Sequence, residues 1–252
     1  MRRIIDVRLP APLDRELDQL HQLEITPEGI IRQILPMATG DLTAGESWNG
    51  DWLSPRGIDL QINGGLGLAF PELKPSDLPR LIDLLDQLWA DGVEAIAPTL
   101  VTCGIAPLRQ ALGVLQEARR HEQAGRCRLL GAHLEGPFLA NERRGAHPPE
   151  HLAVPSTKAL DERIGGFETE IALMTLAPEL PGASAVIARL RELGIMVALG
   201  HSAAKADQAA VGFDQGVGML THAFNAMPGL HHPVSYTHLR AHETGRNGGW
   251  RG

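Results

Sequence analysis

Cysteine is nearly absent: Cys103 and Cys127 are the only two among 252 residues. Two thiols cannot build a disulfide framework, and no Cys-x-x-Cys spacing exists, so a reducing, cytoplasmic compartment is expected. Aromatics are also scarce, with one Tyr and five Phe, and acidic residues outnumber basic ones by 30 to 23, for a net charge of -7. With no basic stripe carrying interleaved aromatics, these shortages argue against a nucleic-acid partner. No apolar run reaches the ~18 residues of a membrane span. The segment Met1–Arg8 has basic residues but no apolar h-region, so it does not read as a secretory signal.

What remains is the composition of an ordinary globular protein, 43% hydrophobic and 21% charged. Residues 1–56 hold short β-prone pieces, Ile30–Pro36 and Trp48–Leu53, broken by Pro, Gly and Asp. They predict a small β-rich domain. From residue 57 apolar runs alternate with helical periods. Strands are expected at 57–62, 94–100, 128–134, 171–176, 195–200 and 217–221. Leu78, Leu81, Ile82, Leu85, Leu88 and Trp89 share one helical face, with Ser76 placed to cap its start and Gly92 to close its end. Further helices are expected from Pro107 to Gly125, over 183–193 and, more weakly, over 203–215. Such alternation means parallel strands with right-handed crossovers. The predicted fold is therefore α/β, a partial (β/α)8 TIM barrel of about six of the eight strand–helix units.

Three of these runs end on a side chain that can bind metal: Glu135 in His-Leu-Glu-Gly-Pro-Phe, His201 in Leu-Gly-His-Ser and His222 in Leu-Thr-His-Ala-Phe-Asn-Ala-Met. Taken singly, each has a plain structural explanation, as a loop carboxylate or a hydrogen-bonded core histidine. Together, at the C-terminal ends of three strands, they form the one-carboxylate, two-imidazole set of a catalytic zinc site with an open position. His133 shares the face of Glu135 by the period of two. It is either an orienter of that site or a satisfied core histidine.

The segment 55–64 (PRGIDLQING), then HLEGPF, GHS and THAFNAM in that order, resemble the N-acetylglucosamine-6-phosphate deacetylase family of the amidohydrolase superfamily, over roughly residues 45–232. The resemblance implies one divalent metal, zinc, held by Glu135, His201 and His222. Gln61 and Asn63 replace the His-x-His pair by which many amidohydrolases hold a second metal. Amides are poor zinc ligands, which favours one metal, though simple hydrogen bonding at the barrel mouth explains them equally. The resemblance further implies sugar contacts from Gly145, Ala146, His147, Asn225 and Ala226, a small amino-sugar-phosphate substrate and a homodimer. The implied reaction is hydrolysis of N-acetylglucosamine 6-phosphate to glucosamine 6-phosphate and acetate. Arg143 and Arg144 either attract the phosphate or form a solvated basic pair. Two alternatives stand beside this: another amidohydrolase acting on a cyclic amide or nucleobase, and a non-catalytic metal- or sugar-phosphate-binding module.

Past His231 and His232 the family pattern stops, and the phosphate-binding Arg expected there is missing. Residues 234–252 carry no strand or helix period and include a stretch resembling a translated sequencing-library adapter, Ser-Tyr-Thr-His-Leu-Arg-Ala-His-Glu-Thr. They are read as a non-native tail to a domain spanning 57–233. The family's carbonyl-orienting His and general-base Asp are expected beyond residue 252, so no catalytic acid–base residue is assigned, and this chain is expected to be inactive and to fold poorly alone.

Overall fold

A computed structural model describes residues 1–10, 19–38, 44–223 and 225. The expected tail, His231, His232 and Ala226 lie outside them. The chain divides into two compact units, Met1–Arg56 and Gly57–Gly252.

In the first unit, β1 (Arg2–Arg8), β2 (Leu20–Ile25), β3 (Ile31–Pro36) and β4 (Glu46–Ser47) form one sheet in the order β3-β2-β1-β4. Only the β4 pairing with β1 is parallel. Its core is small: Ile4, Val7 and Leu23, with Ile25, Trp48 and Leu53 against them. The register of β1 shifts between Ile4 and Val7, where Asp6 takes φ 54° and accepts a hydrogen bond from the Ser47 hydroxyl at 2.6 Å. Strands β1 and β2 escaped the sequence reading because Arg, Asp, His and Gln interrupt their apolar residues. Trp48–Leu53 is not a strand but a turn with one bridge, Arg8 to Trp52.

The second unit opens with β5 (Gly57–Ile62), followed by the hairpin β6 (Gly64–Gly65) and β7 (Leu68–Ala69) and by helix α1 (Leu78–Ala90). Then come β8 (Val93–Val101), α2 (Ile105–Arg119), β9 (Arg128–Leu129), β10 (Ala132–Glu135) and α3 (Thr157–Ile164). The described elements end with β11 (Ile171–Leu176), α4 (Ala183–Glu192), β12 (Met196–Leu199), α5 (Ala206–Gln215) and β13 (Met219–Leu220). The strands lie parallel in the order β13-β12-β11-β10-β8-β5, with β9 beside β8. Five helices in crossovers between parallel strands make this a partial TIM barrel. Its sheet curls enough that Gln61, beyond the middle of the first strand, comes within 3.4 Å of His222, just past the sixth.

The period of two sorts the strand residues into two layers. Ile96, Leu134, Met174 and Val197 join the helix-facing core. The opposite face is small and polar: Ala97, Leu173 and Ala198 pack together, and Thr99, His133, Glu135 and Thr175 are buried on it. Leu112 and Leu115 of α2 and Val186, Ile187 and Leu190 of α4 supply helix faces to the first layer.

Several boundaries differ from expectation. Gly131, at φ 120°, breaks the expected 128–134 strand in two; a Cβ there would lie 2.9 Å from the backbone N of Ala172. Helix α2 stops at Arg119 rather than near Gly125, because the polar stretch from Arg120 offers no apolar face. Ser76 does not cap α1: a 3-10 turn over Pro75–Asp77 precedes the helix, and Asp77 turns back to accept from the Lys74 N–H at 3.0 Å. Gly92, at φ 90°, does close it. Helix α3 was not foreseen; Ser156 caps it, accepting from the Ala159 N–H at 3.1 Å. Among the described residues no helix is long and apolar enough to cross a membrane.

Candidate metal centre

Glu135 is the last residue of β10 and only 2% exposed. Gly136 follows at φ 87°, a left-handed turn that any Cβ would drive into the Thr102 hydroxyl. His201 and His222 each lie two residues past a strand, and each adopts a left-handed backbone, at φ 50° and φ 53°. That conformation is uncommon outside glycine, costs on the order of 1 kcal/mol or more, and persists where neighbours over-determine it. For His201 the neighbours are explicit. Gly200 N–H donates to Leu176 O, the His201 carbonyl accepts from Ala140 N–H, and Glu179 accepts from both the Ser202 hydroxyl at 2.7 Å and the Ala203 N–H at 2.6 Å.

The side chains converge on the Glu135 carboxylate. His201 Nε2 lies 3.1 Å and His222 Nε2 2.8 Å from Oε1, while Gln61 Nε2 donates to Oε2 at 3.1 Å and His147 Nε2 stands 3.9 Å from it. The two nearest imidazoles, of His201 and His222, meet edge to face with centroids 5.3 Å apart. Burial would raise the Glu135 carboxyl, but the hydrogen bond to His201, the electrostatic pull of the neighbouring His147 and His222 rings and the Gln61 amide bring it down to about 2. It is therefore an anion.

Obligate donors and acceptors fix the imidazole protons. The Arg143 carbonyl, 2.9 Å from His201 Nδ1, can only accept, so Nδ1 carries a hydrogen. In the neutral ring Nε2 then presents its lone pair to the carboxylate, and only the protonated ring donates to it. Two lone pairs 3.1 Å apart repel unless a cation or proton lies between them. Burial opposes a charge on His201, yet Glu135 and the Arg143 carbonyl together raise its pKa, the expected response of a site built to hold positive charge. His147 is the reverse case. The Thr102 backbone N–H can only donate and points at His147 Nδ1 at 3.3 Å, which leaves the proton on Nε2, facing the cluster. Burial lowers the pKa of His147, countered in part by Glu135, and keeps it neutral.

Glu135, His147 and His201, all buried, offer ligand atoms within 4.8 Å of one another and could hold a metal ion. His222 is closer to Glu135 than His147 is, though half exposed. A tetrahedral ion bonded at about 2.0–2.2 Å separates its ligand atoms by about 3.4 Å, near the spacing between Glu135 and the His201 and His222 nitrogens. The donor set fits a divalent metal.

The other expected residues are placed as follows. Gly145, at φ 59°, packs against the His201 ring, with a Cβ position 3.7 Å from its Cε1, and Ala146 beside it is exposed. Asn225 N–H donates to the His222 carbonyl at 2.7 Å, so its backbone closes the turn after that residue. Asn63 is exposed and uses its carbonyl to accept from Phe70 N–H. Arg144 is spent on the carbonyls of Gly145 and His147, bracing this loop, whereas Arg143 contributes the carbonyl that orients His201. His133 does not touch the carboxylate; both its ring nitrogens meet threonine hydroxyls. Sequence reasoning missed Glu179 and Thr102, polar residues just past strands whose partners lie 23 and 33 or more positions away.

A curled parallel sheet with a carboxylate and imidazoles converging at its strand ends defines a partial TIM barrel with a metal-competent centre. No family model matches the chain. Individual proteins do. An N-acetylglucosamine-6-phosphate deacetylase of Caenorhabditis elegans is 38% identical over 188 residues, covering 71% of this chain and 44% of the relative. An N-acetylgalactosamine-6-phosphate deacetylase of Escherichia coli O157:H7 is 35% identical over 214 residues, covering 84% and 54%. Among solved structures, the N-acetylglucosamine-6-phosphate deacetylase of Pasteurella multocida superposes with a TM-score of 0.71 at 26% identity, over 95% of this chain and 61% of that one. A Mycobacterium smegmatis mutant of the same enzyme, in complex with N-acetyl-D-glucosamine-6-phosphate, gives 0.75 at 26%, over 96% and 60%. By sequence and by fold the chain is a relative of the N-acetylglucosamine-6-phosphate deacetylases, and it spans about half the length of the curated relatives it matches.

Proposed function

We propose that this protein serves the hydrolytic deacetylation of N-acetylglucosamine 6-phosphate to glucosamine 6-phosphate and acetate, a cytoplasmic step of amino-sugar breakdown, and that it works as a homodimer. The observation that carries this reading is the Glu135 carboxylate held between His201 Nε2 and His222 Nε2, at 3.1 and 2.8 Å, in a relative of these deacetylases. Those three residues are assigned as ligands of one zinc ion. Bound there, zinc would supply a Lewis acid and an acidified water.

The chain's own residues set the rest. Gln61 occupies the second carboxylate oxygen as a hydrogen-bond donor, which supports a single ion, since a donating amide nitrogen has no lone pair to give a second one. His147, neutral with its proton on Nε2, is placed to donate to a substrate oxygen rather than to bind metal. Ala146, Asn225 and Ala226 are assigned to the sugar. None of the described groups is proposed as general base: Glu135 is held as an anion among three imidazoles, and His147 already carries its proton on the side facing the cluster. The compact unit Met1–Arg56 is proposed as a separate β-rich domain.

Metal analysis of purified protein after dialysis against zinc tests the assignment. About one ion per chain is expected in the parent and none in Glu135→Ala; an unchanged zinc content in the variant would sink the ligand set. Binding of N-acetylglucosamine 6-phosphate, read by calorimetry because no general base is assigned in this chain, then tests the substrate. One relative, matched over 84% of this chain, acts, by its name, on the galactosamine isomer. Tighter binding of N-acetylgalactosamine 6-phosphate would replace the glucosamine reading with that one.

A further inference from the structure

Beneath the candidate ligands runs a buried chain of four polar side chains. Thr99 Oγ1 is 3.1 Å from His133 Nδ1, His133 Nε2 is 2.7 Å from Thr175 Oγ1, and Thr175 Oγ1 is 2.7 Å from Thr221 Oγ1. At its far end Thr99 Oγ1 lies 3.5 Å from the Ala97 carbonyl. All four residues are buried, with Thr221 the most exposed at 7%. A buried network of this kind stabilises only if every member is satisfied.

The proton positions follow from counting. Three hydroxyls and one neutral imidazole bring four protons to four contacts, and one end of the chain is a carbonyl, which can only accept. Filling every contact allows a single arrangement. Thr99 donates to the Ala97 carbonyl, His133 Nδ1–H to Thr99, Thr175 to His133 Nε2 and Thr221 to Thr175. The chain is thus directional and ends on the residue immediately before His222.

Its members also sit under each ligand-bearing strand end. His133 precedes Glu135 by two residues on the same face, Thr175 is in register with Glu135, and Gly200 is so close to Thr175 that a Cβ there would lie 2.7 Å from Thr175 Cγ2. His201 has its own orienting bond from Nδ1 to Arg143. The left-handed turn carrying His222 is instead anchored through its neighbour, by Thr221 Oγ1 to Thr175 and Thr221 N–H to Leu199 O.

We propose that the Thr99–His133–Thr175–Thr221 chain is a positioning device for the metal centre, fixing the strand ends so that the His222 imidazole meets Glu135. It rests on the reading of Glu135, His201 and His222 as ligands.

Zinc affinity, measured by competition with a chromophoric chelator, tests it. Thr175→Val removes the hydroxyl and keeps the shape, whereas Thr175→Ser keeps the hydroxyl and loses a methyl. Positioning predicts zinc binding roughly 10-fold or more weaker in Thr175→Val, with Thr175→Ser close to the parent. Parent-like affinity in Thr175→Val, or equal weakening in both variants, overturns the proposal. If Thr175→Val does not fold, Thr221→Val carries the same expectation and the same overturning result. In the unsubstituted protein, the nitrogen-15 shifts of His133 must show a neutral ring protonated at Nδ1; an Nε2–H ring overturns the arrangement. Glu135→Ala separates the two levels. If it still binds zinc, the ligand reading fails; if it does not while Thr175→Val binds normally, only the positioning device fails.

Discussion

The side chains that gather at Glu135 are held by residues that never reach it. Glu179 is the clearest case. Its two carboxylate oxygens accept from Ser202 and Ala203, on the C-terminal side of a histidine whose left-handed backbone is unfavourable by itself. Glu179→Ala leaves that turn without its charged acceptor. Zinc affinity is expected to fall about 10-fold, with Glu179→Gln intermediate because one amide oxygen replaces two acceptors. Chelator competition reads both, and unchanged affinity in the alanine variant would remove Glu179 from the site's support. Glu135, His201 and His222 were legible in the sequence because each closes an apolar run. Glu179 was not: its role depends on a serine 23 positions away, and nothing local to Pro178-Glu179 announces it.

Among the elements, strands with a regular apolar pattern showed through most clearly. The spans Gly57–Ile62 and Ile171–Leu176 are those expected. Ile171–Leu176 is buried almost throughout and reads as a continuous hydrophobic stretch, whereas Gly57–Ile62 shows through by its alternation of apolar and polar residues and is partly exposed. Helix α3 was hidden because Lys158, Asp161, Glu162 and Arg163 leave little apolar periodicity in eight residues. Helix α2 contributes through Leu112, fully buried between its sheet and neighbouring helices. Leu112→Ala is expected to cost about 2–5 kcal/mol. In a protein of this size that lowers the melting temperature by roughly 5–15 °C. Val211→Ala on α5, at a side chain 54% exposed, is expected to change it by no more than about 2 °C. Thermal unfolding of the pair checks the layering; equal shifts would contradict it.

For the whole molecule, the polar face of the curled sheet ties stability to pH. Burial, only partly offset by Glu135, lowers the His133 pKa from 6.5 to about 4. A depressed folded-state value means the unfolded chain binds the proton more readily, so this contribution is fully present above about 6.5 and is lost as pH falls toward 4. Its size is on the order of 3 kcal/mol. Glu135, lowered to about 2, adds a second loss between about 4.5 and 2. His201, raised, works in the opposite sense, its contribution fading as pH rises. Urea unfolding of metal-free protein at pH 7, 5.5 and 4.5 is expected to show falling stability, and His133→Gln to flatten that decline. An equally steep decline in the variant would assign the acid limb to other groups.

The sequence alone determined the alternation of strand and helix and which three motifs stand at strand ends, because hydrophobic period and turn residues are local properties. It did not decide which nitrogen of each imidazole is free, whether His133 touches Glu135, or that Gln61 closes the carboxylate from across the sheet. Those depend on curvature, which brings residues 74 and 161 positions apart within 3.4 Å, and on obligate donors and acceptors such as the Arg143 carbonyl and the Thr102 N–H. Proton placement in a buried site is a property of neighbours in space, and only the tertiary structure supplies them.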